Sequence, residues 1–373
     1  MRKSVFWGLA SFLVASGVLA CNQVDLAQRT MDMLVPSAQA QSYILKNDAL
    51  RRTEDEQNTI NTFSRAAPAT VFVIQNQLQR NLWTARATEV PAGSGSGFIW
   101  DKKGHIVTNY HVVQNGSSFS VTLYNQKKYP AKVVGIEPKK DIAVLKIDAP
   151  AEELTPINVP RDGYQLQVGQ KTIAIGNPFG LDHTLTTGIV SALGREMAGI
   201  GGVTIKDCIQ TDAAINVGNS GGPLLDSAGQ LIGMNTMIFS PSGGSAGIGF
   251  AVPYTAIKRV VPQIIKTGKA EQVGLGISIL SDEIARRNGI KGVIVRDVDS
   301  STPAASSGLM GLTQTTNGIF INDIIVGIDD TPVINYDSLY NALDGHKAGD
   351  IVKVSVKRKG ELKTFNIKLI VLK

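Results

Sequence analysis

The chain has 373 residues, of which 43% are hydrophobic and 18% charged, and its formal net charge is +6. This apolar content is enough for folded cores and excludes a wholly disordered chain, and the length suggests two domains. The basic excess is small, with 37 Lys and Arg against 31 Asp and Glu, and aromatic residues make up only 6%. Since neither a strongly basic face nor a base-stacking surface is indicated, we expect no nucleic-acid partner.

The N-terminal segment has the pattern of an export signal. Two basic residues precede an apolar run over residues 5–20, which is short for a membrane span but typical of the apolar part of a signal peptide. The cleavage point stays open, since Cys21 follows a lipoprotein-like sequence, Ala38-Gln39-Ala40 is an ordinary cleavage site, and an uncleaved anchor is the third alternative. We predict a signal peptide over residues 1–20 that could extend to residue 40 and a polar tether over 21–58. The protein would be periplasmic, either free or attached to the membrane through Cys21.

Short apolar runs rich in Val and Ile dominate the chain from residue 69 onward. Turn residues separate them at intervals of about 8–15 residues, which is typical of an all-β barrel or sandwich. From Tyr254 the apolar residues recur at helical spacing. We therefore predict a helix that ends at Gly268 and is kinked or split at Pro262.

The pattern changes after a short linker that begins at Gly268. About five strand-like runs and one or two helices follow, which together make a second α+β module. The sequence therefore predicts a first domain over residues 59–268 and a second over 269–373.

The strongest chemical signal is the segment Gly218-Asn219-Ser220-Gly221-Gly222-Pro223. A serine hydroxyl is a weak nucleophile that needs an adjacent base and donors for the developing oxyanion. The glycines around the serine let the backbone curl so that the amides of Gly218 and Ser220 converge. We predict that Ser220 is a nucleophile and that Gly218, Asn219 and Ser220 form an oxyanion hole. The alternative is a glycine-rich turn between strands.

Two further motifs supply partners for Ser220. Thr108-Asn109-Tyr110-His111 places a histidine just after a strand, and Asp141 directly precedes another strand-like run. His111, Asp141 and Ser220 follow each other in the chain order of the chymotrypsin triad. We predict that Ser220 attacks a peptide carbonyl, His111 moves the proton and Asp141 orients His111, with an acyl-enzyme as intermediate.

These motifs resemble those of the HtrA/Deg family of serine proteases. The resemblance covers residues 60–370 and includes the segments 174–180, 210–216 and 233–236, AIGNPFG, QTDAAIN and GMNT. It implies a mainly β fold, a chymotrypsin-like double β-barrel followed by one α+β PDZ domain. It also implies an ATP-independent endopeptidase that degrades unfolded or damaged proteins and assembles as a homotrimer or a multiple of trimers. The alternatives are a regulatory protease with one signalling substrate, and a chaperone or scaffold in which PDZ binding dominates.

The resemblance also implies roles for individual side chains. Ile215, Ile238 and Phe239 would line an apolar S1 pocket that favours small aliphatic residues, although they could simply be barrel-core residues. Arg195 matches a relay arginine in a regulatory loop, predicted here over residues 193–206, but it could equally be a solvated charge.

The second module begins with Gly274-Leu275-Gly276-Ile277, which resembles the carboxylate-binding loop of a PDZ domain. We expect C-terminal peptides to bind there and add a strand to the sheet edge. The alternative is an ordinary strand start.

The sequence gives no indication of a cofactor. It contains neither the glycine spacing of a P-loop nor a cluster of metal-ligating residues, so we expect no cofactor and no metal. Cys208 is the one cysteine beyond the N-terminal segment, and we expect it to be a buried, unreactive thiol.

Overall fold

The computed structural model describes residues 52–80, 87–178, 180, 182–199, 203–238, 247–316 and 318–372. The predicted signal peptide and Cys21 lie outside these residues. By its internal contacts the chain divides into two units, residues 1–60 and 61–373, and the second unit holds all the strands described below. Within the described residues, no helix has both the length and the apolar character needed to cross a membrane.

The first described element is helix α1 (Glu54–Ala66). It begins at a capping box, in which the Thr53 hydroxyl accepts from the Glu56 amide at 3.2 Å and the Glu56 carboxylate accepts from the Thr53 amide at 2.8 Å. Acidic residues in its first turn also suit the helix dipole. The helix begins within the segment predicted as a tether, which ends at residue 58.

The strands confirm the predicted mainly β fold with two barrels. The first closed barrel has the order β1-β2-β3-β6-β5-β4, with antiparallel neighbours. Its elements are β1 (Thr70–Arg80), β2 (Ala87–Ile99), β3 (His105–Thr108), helix α2 (Tyr110–Val113), β4 (Ser118–Thr122), β5 (Lys128–Glu137) and β6 (Ile142–Ile147). A 3₁₀ turn, Pro138–Lys140, joins β5 to β6, and another, Ala151–Glu153, follows β6.

The second closed barrel has the order β10-β11-β12-β9-β8-β7. Its strands are β7 (Lys171–Gly176), β8 (Thr184–Ala198), β9 (Thr204–Thr211), β10 (Pro223–Leu225), β11 (Leu231–Ile238) and β12 (Gly249–Pro253). Helix α3 (Tyr254–Thr267) follows directly. Each barrel has its own apolar interior, and a further cluster of buried side chains joins residues of both barrels to α3.

Helix α3 agrees with the sequence in its range and differs at Pro262. Gly268 ends the helix in the left-handed region, at φ 79°, as expected for a C-terminal glycine. The helix is not split at Pro262, because this residue lies on the exposed face, where water can bond the carbonyl that proline leaves without a donor.

The second module forms its own core around a sheet of order β14-β15-β18-β20-β21, with β19 paired to β18. Its elements are β13 (Val273–Gly274), β14 (Ile277–Ile279), α4 (Asp282–Arg287), β15 (Val293–Val298), α5 (Pro303–Ser306), β16 (Thr313–Thr315), β17 (Gly318–Phe320), β18 (Asp323–Ile328), β19 (Thr331–Pro332), α6 (Tyr336–Leu343), β20 (Ile351–Arg358), β21 (Glu361–Lys368) and β22 (Ile370–Val371). An Asn335–Ser338 capping box begins α6.

Strand β5 and the end of α3 touch backbone to backbone at Gly135. A Cβ atom placed on Gly135 would lie 2.0 Å from the Gly268 carbonyl oxygen and 2.9 Å from a methyl group of Ile264. No side chain fits there without displacing the helix end, so this glycine sets how closely α3 approaches the first barrel.

We expect Gly135→Ala to lower the free energy of unfolding by about 2 kcal/mol, because the added methyl group overpacks this contact. The midpoint of urea unfolding measures the effect. Gly345→Ala is the matched control, since no atom lies within 4 Å of its added Cβ. Equal midpoints for the two variants would contradict the close contact at Gly135.

Candidate active site

Asp141 lies where the 3₁₀ turn Pro138–Lys140 meets β6, and its backbone is left-handed at φ 54°. This conformation is uncommon for a non-glycine residue, although aspartate tolerates it better than most. The Asp141 carbonyl accepts from the amide of Tyr110 and from the side chain of Asn109, each at 3.1 Å. These bonds fasten the strand start to helix α2, which carries His111.

The Asp141 carboxylate is buried and accepts three hydrogen bonds. The donors are the His111 amide at 3.0 Å, the His111 Nδ1 at 2.8 Å and the Thr236 hydroxyl at 2.6 Å. The Asp141 side chain is 6% exposed, whereas that of His111 is 36% exposed. The carboxylate thus fixes the His111 ring with a proton on Nδ1 and leaves Nε2 as the basic nitrogen.

Ser220 lines the same cavity as His111, but its hydroxyl is engaged elsewhere. The cavity has a volume of about 400 Å³, and within it the Ser220 hydroxyl donates to the Thr236 carbonyl at 3.0 Å. A hydroxyl has one proton to donate, so this bond replaces the one expected toward His111. The structure therefore brings His111 and Asp141 into direct contact and Ser220 to their cavity, with its hydroxyl bonded to the Thr236 carbonyl and not to His111.

Thr236 is a site residue that the sequence reasoning missed. It lies in β11 of the second barrel, and it bonds Asp141 through its hydroxyl and Ser220 through its carbonyl. The available signal was the polar pair Asn235-Thr236 inside an otherwise apolar strand.

The residues before Ser220 form a tight turn. The Asn219 amide donates to the Asn216 carbonyl at 3.1 Å, and Gly218, in the third position of the turn, has φ +105°. Val217 has a negative φ, so this is a type II turn, whose third position requires glycine or asparagine. Glycine is further required because a Cβ on residue 218 would lie 2.2 Å from the Pro178 Cβ.

The amides of Gly218 and Ser220 donate to no acceptor among the described residues. The Asn219 amide, in contrast, is occupied by the turn bond, and the amides of Gly221 and Gly222 donate to the carbonyls of Asn235 and Asn219. The Asn219 side chain accepts from the Asn216 amide and donates to the Ala214 carbonyl, each at 3.1 Å. Of the three residues expected in the oxyanion hole, Gly218 and Ser220 thus have amides free to donate, whereas Asn219 holds the turn.

The structure describes only some of the predicted S1 residues. Ile215 is buried and lines the cavity that contains Ser220, whereas the Ile238 side chain and Phe239 lie outside the described residues. The β8–β9 hairpin also contributes Met197 and Ile205, which the sequence reasoning missed. The described residues that line the cavity are His111, Asp141, Met197, Ala198, Gly199, Ile205, Ile215, Asn216, Val217, Ser220 and Thr236. Among these described residues, only His111 and Asp141 have ionisable side chains.

Arg195 lies in a strand and not in a loop. Strand β8 extends to Ala198 and β9 begins at Thr204, so most of the predicted loop over 193–206 is a bulged hairpin in which Arg195 pairs with Cys208. The exposed Arg195 guanidinium donates to the Gln210 side chain at 2.9 Å.

Cys208 is buried and is not among the described residues that line the cavity. Its side chain is fully buried in a small cluster with Met197 and Ile205, and burial raises the pKa of the thiol to about 12, with a smaller contribution from Asp207. A thiol held protonated in this way is a poor nucleophile.

The predicted PDZ loop lines a second cavity, with a volume of about 540 Å³. Leu275 is buried, and Gly276 adopts φ +75° where a Cβ would lie 2.5 Å from a methyl group of Thr302. Leu339 and Leu343 of α6 form another wall. Lys140 and Arg259 of the first domain also reach this cavity.

Helix α6 packs on the turn that precedes Asp141. The Lys139 ammonium lies 2.7 Å from the Tyr336 hydroxyl and 4.3 Å from the centre of the Tyr340 ring. Lys140 pairs with Asp344 at 2.7 Å, and Asp344 also accepts from Arg259 at 2.6 Å. Sequence patterns gave no signal for this contact, because its partners lie some 200 residues apart (|i−j| of 197 and 204 for the two lysine bonds).

Two family models match the chain. Residues 95–234 match the trypsin-like peptidase domain, and residues 272–369 match the PDZ domain. The two matches fall on the double barrel and on the second module.

The chain is also similar to named proteins. It is 45% identical over 353 residues to Protease Do-like 1, chloroplastic, of Arabidopsis thaliana, which covers 94% of this chain and 80% of that protein. It is 42% identical over 281 residues to the probable periplasmic serine endoprotease DegP-like of Chlamydia trachomatis, which covers 74% of this chain and 54% of that protein.

Solved structures show the same similarity. HtrA-type protease AlgW with decapeptide superimposes with a TM-score of 0.63 at 34% identity, covering 84% of this chain and 99% of that one. For the serine endoprotease from Yersinia pestis the TM-score is 0.59 at 30% identity, covering 84% of this chain and 98% of that one.

The raised pKa of Cys208 predicts very slow reaction with a thiol reagent in the native protein. In a Cys21→Ser variant at pH 8.5, labelling by dithionitrobenzoate should be on the order of 10³-fold slower than for a free cysteine, because the thiolate is scarce. Unfolding in guanidinium should expose the thiol, so that one equivalent of thionitrobenzoate is released per chain. Rapid native labelling would contradict the buried, protonated thiol.

Proposed function

This chain belongs to the HtrA/Deg family of serine proteases, and from this premise we propose that Ser220 is its nucleophile, His111 its general base and Asp141 the residue that orients His111. The observation that carries the proposal is the bonded His111–Asp141 pair in a cavity shared with Ser220. The unpaired amides of Gly218 and Ser220 border the same serine and supply the oxyanion donors.

Acylation begins when a peptide carbonyl enters the cavity. The Ser220 hydroxyl turns from the Thr236 carbonyl toward His111 Nε2, which takes its proton as the oxygen bonds the carbonyl carbon. The carbonyl π electrons move to oxygen, and the amides of Gly218 and Ser220 donate to that oxyanion. Each donor contributes on the order of 3 kcal/mol to the barrier reduction.

The tetrahedral intermediate then collapses. The carbon–nitrogen bond breaks, His111 gives its proton to the leaving amine, and the acyl group remains on Ser220. Water attacks the ester with His111 again as base, and Ser220 is released with its proton. Throughout, the Asp141 carboxylate stabilises the imidazolium, and the Thr236 hydroxyl holds that carboxylate in place.

The substrate class follows from the lining of the cavity. The apolar wall that includes Ile215 offers no charge to a basic or acidic side chain, which supports a preference for small aliphatic residues before the scissile bond. Unfolded proteins expose such residues, and this supports degradation of unfolded or damaged proteins as part of protein quality control under stress. No nucleotide is required by any step.

The PDZ domain would capture free C-termini. Backbone amides of the loop Gly274–Ile277 would bond the terminal carboxylate, and Leu339 and Leu343 would pack on an apolar last side chain.

Location and assembly are proposed from the N-terminal pattern and from the family. Export to the periplasm is supported by the signal-like N-terminus and by relatives named as periplasmic, although the Arabidopsis relatives are named as chloroplastic. A homotrimer or a multiple of trimers, and attachment to the membrane through Cys21, complete the proposal.

A second candidate is a protease whose cleavage of one substrate is gated by PDZ ligands. The observation that favours it is the packing of α6 on Lys139 and Lys140, directly before Asp141. A peptide in the PDZ cavity would lie next to these contacts and would change the position of Asp141. Arg195 would belong to such a regulatory path.

We expect Ser220→Ala to lower the rate of casein hydrolysis by roughly 10⁶-fold, because the nucleophile is lost. Release of acid-soluble peptides measures the rate. Peptide binding to the PDZ domain, followed by fluorescence anisotropy, should remain and so shows that the variant is folded. Full activity in this variant would remove Ser220 as the nucleophile.

We expect a labelled decapeptide that ends in valine to bind the PDZ cavity, and its C-terminal amide to bind at least 10-fold more weakly, because the loop amides lose their carboxylate partner. Fluorescence anisotropy measures both affinities. Gly276→Ala should abolish binding, since its Cβ meets Thr302 in a left-handed backbone. Equal binding of acid and amide would contradict the carboxylate loop.

The same peptide separates the two candidate functions. If it leaves hydrolysis of casein and other unfolded proteins unchanged, broad quality control is favoured. If hydrolysis requires it and is confined to one substrate, gated cleavage is favoured.

A further inference from the structure

We propose that Ser96 is a positioning residue that fixes the oxyanion turn Asn216–Asn219 from the opposite barrel. This inference rests on the function proposed above and adds to it a residue that no motif assigned to the site.

Ser96 bonds both residues whose amides hold the oxyanion. It lies in β2 of the first barrel and is fully buried. Its hydroxyl donates to the Gly218 carbonyl at 2.7 Å, and its amide donates to the Ser220 carbonyl at 2.8 Å. Ser96 thus restrains the carbonyl groups of both residues and, through them, the backbone that carries the two oxyanion amides.

The direction of the Ser96 hydroxyl is itself fixed. Its oxygen accepts from the Asn177 amide at 2.8 Å, so the hydroxyl proton points away from Asn177 and toward the Gly218 carbonyl. The Ser96 carbonyl accepts from the Thr108 hydroxyl at 2.7 Å. A buried residue with all three polar groups bonded provides a rigid anchor for the turn.

Gly218 needs such an anchor because glycine has the freest backbone of any residue. Pro178, the residue after Asn177, blocks the space beside the Gly218 Cα, as the 2.2 Å distance to an added Cβ shows. Pro178 and the Ser96 hydroxyl therefore restrain Gly218 from two sides, and this limits the backbone rotation that sets the direction of its amide.

The glycine before Ser96 allows this close approach. A Cβ on Gly95 would lie 3.1 Å from the Ser220 carbonyl and 2.7 Å from a methyl group of Val112. Gly97 serves the packing of its own barrel, because a Cβ there would lie 3.0 Å from the Val107 carbonyl of β3.

Loss of the Ser96 hydroxyl leaves the buried Gly218 carbonyl and the Asn177 amide without partners. The amides of Gly218 and Ser220 are then less well placed for the transition state, whereas the substrate cavity and the His111–Asp141 pair are untouched. Catalysis should therefore suffer more than substrate binding, and the pH dependence should not change.

The test compares Ser96→Ala with wild type and with Thr172→Val. Thr172 is the matched control because its buried hydroxyl bonds Thr211 at 2.8 Å in the second barrel. For a chromogenic peptide with valine before the scissile bond, we expect kcat of Ser96→Ala to fall about 10- to 10²-fold, below the effect of deleting an oxyanion donor outright. KM should stay within about twofold, and the pH profile should keep its midpoint.

A second readout reports on the oxyanion site without turnover. The rate at which diisopropyl fluorophosphate inactivates the enzyme should fall by the same factor as kcat in Ser96→Ala, because its phosphoryl oxygen uses the same amides. Thr172→Val should keep the wild-type kcat and inactivation rate, even if its melting temperature falls as far as that of Ser96→Ala. Should Ser96→Ala not fold, Ser96→Cys, which retains a weak donor, serves in the same comparisons and should show a smaller fall.

Three results would overturn the proposal. The first is an unchanged kcat in the Ser96 variant, and the second is a fall in kcat/KM that comes from a higher KM and not from a lower kcat. The third is an equal fall in kcat in Thr172→Val. The proposed function is tested separately. If wild type shows no hydrolysis that Ser220→Ala removes, that function fails and the role of Ser96 falls with it. If wild type is active and Ser96→Ala equals it, only the role of Ser96 falls.

Discussion

The arrangement of the site depends on one buried negative charge. The Asp141 carboxylate is almost inaccessible to water, and a charge in that position must be bonded or it would destabilise the fold. Its donors come from both barrels, His111 beside the first and Thr236 within the second. The three bonds that satisfy this carboxylate therefore join the barrels and also orient the imidazole.

The remaining parts of the site also lie at the interface between the two barrels, called the seam below. Ser220 and its turn belong to the second barrel, yet their carbonyls are bonded by Ser96 of the first. The PDZ domain reaches this seam from outside, because α6 packs on Lys139 and Lys140, and Asp337 accepts from the amide and hydroxyl of Thr204 at the start of β9. A displacement of α6 would thus act on the turn before Asp141 and on the hairpin whose Ile205 lines the cavity.

The sequence predicted those features whose cause is local. Glycines around Ser220, a histidine after a strand and an acid before another strand each have a short-range reason, and their chain order matched a known template. The spacing of apolar runs likewise predicted an all-β barrel or sandwich, whereas the division into two barrels was implied by the family resemblance. The finer features have causes that lie elsewhere in the chain. Thr236 gains its role from Asp141, 95 positions away, and Ser96 from Gly218, 122 positions away. Neither the length of the β8–β9 hairpin nor the tolerance of Pro262 on an exposed helix face is encoded in the residues nearby.

Asn219 and Ser96 together show what the local sequence motif can predict and what only the folded structure reveals. The motif around Ser220 identifies three consecutive residues that could hold an oxyanion, but it cannot say which amides are free. The structure does, because the turn bond from Asn219 to Asn216 consumes one amide and leaves those on either side unpaired. Two donors that bracket a bonded residue can hold a fixed separation only if their own carbonyls are restrained. That restraint comes from the opposite barrel, so in the proposed mechanism the charge that develops during peptide hydrolysis is stabilised where groups of both barrels meet.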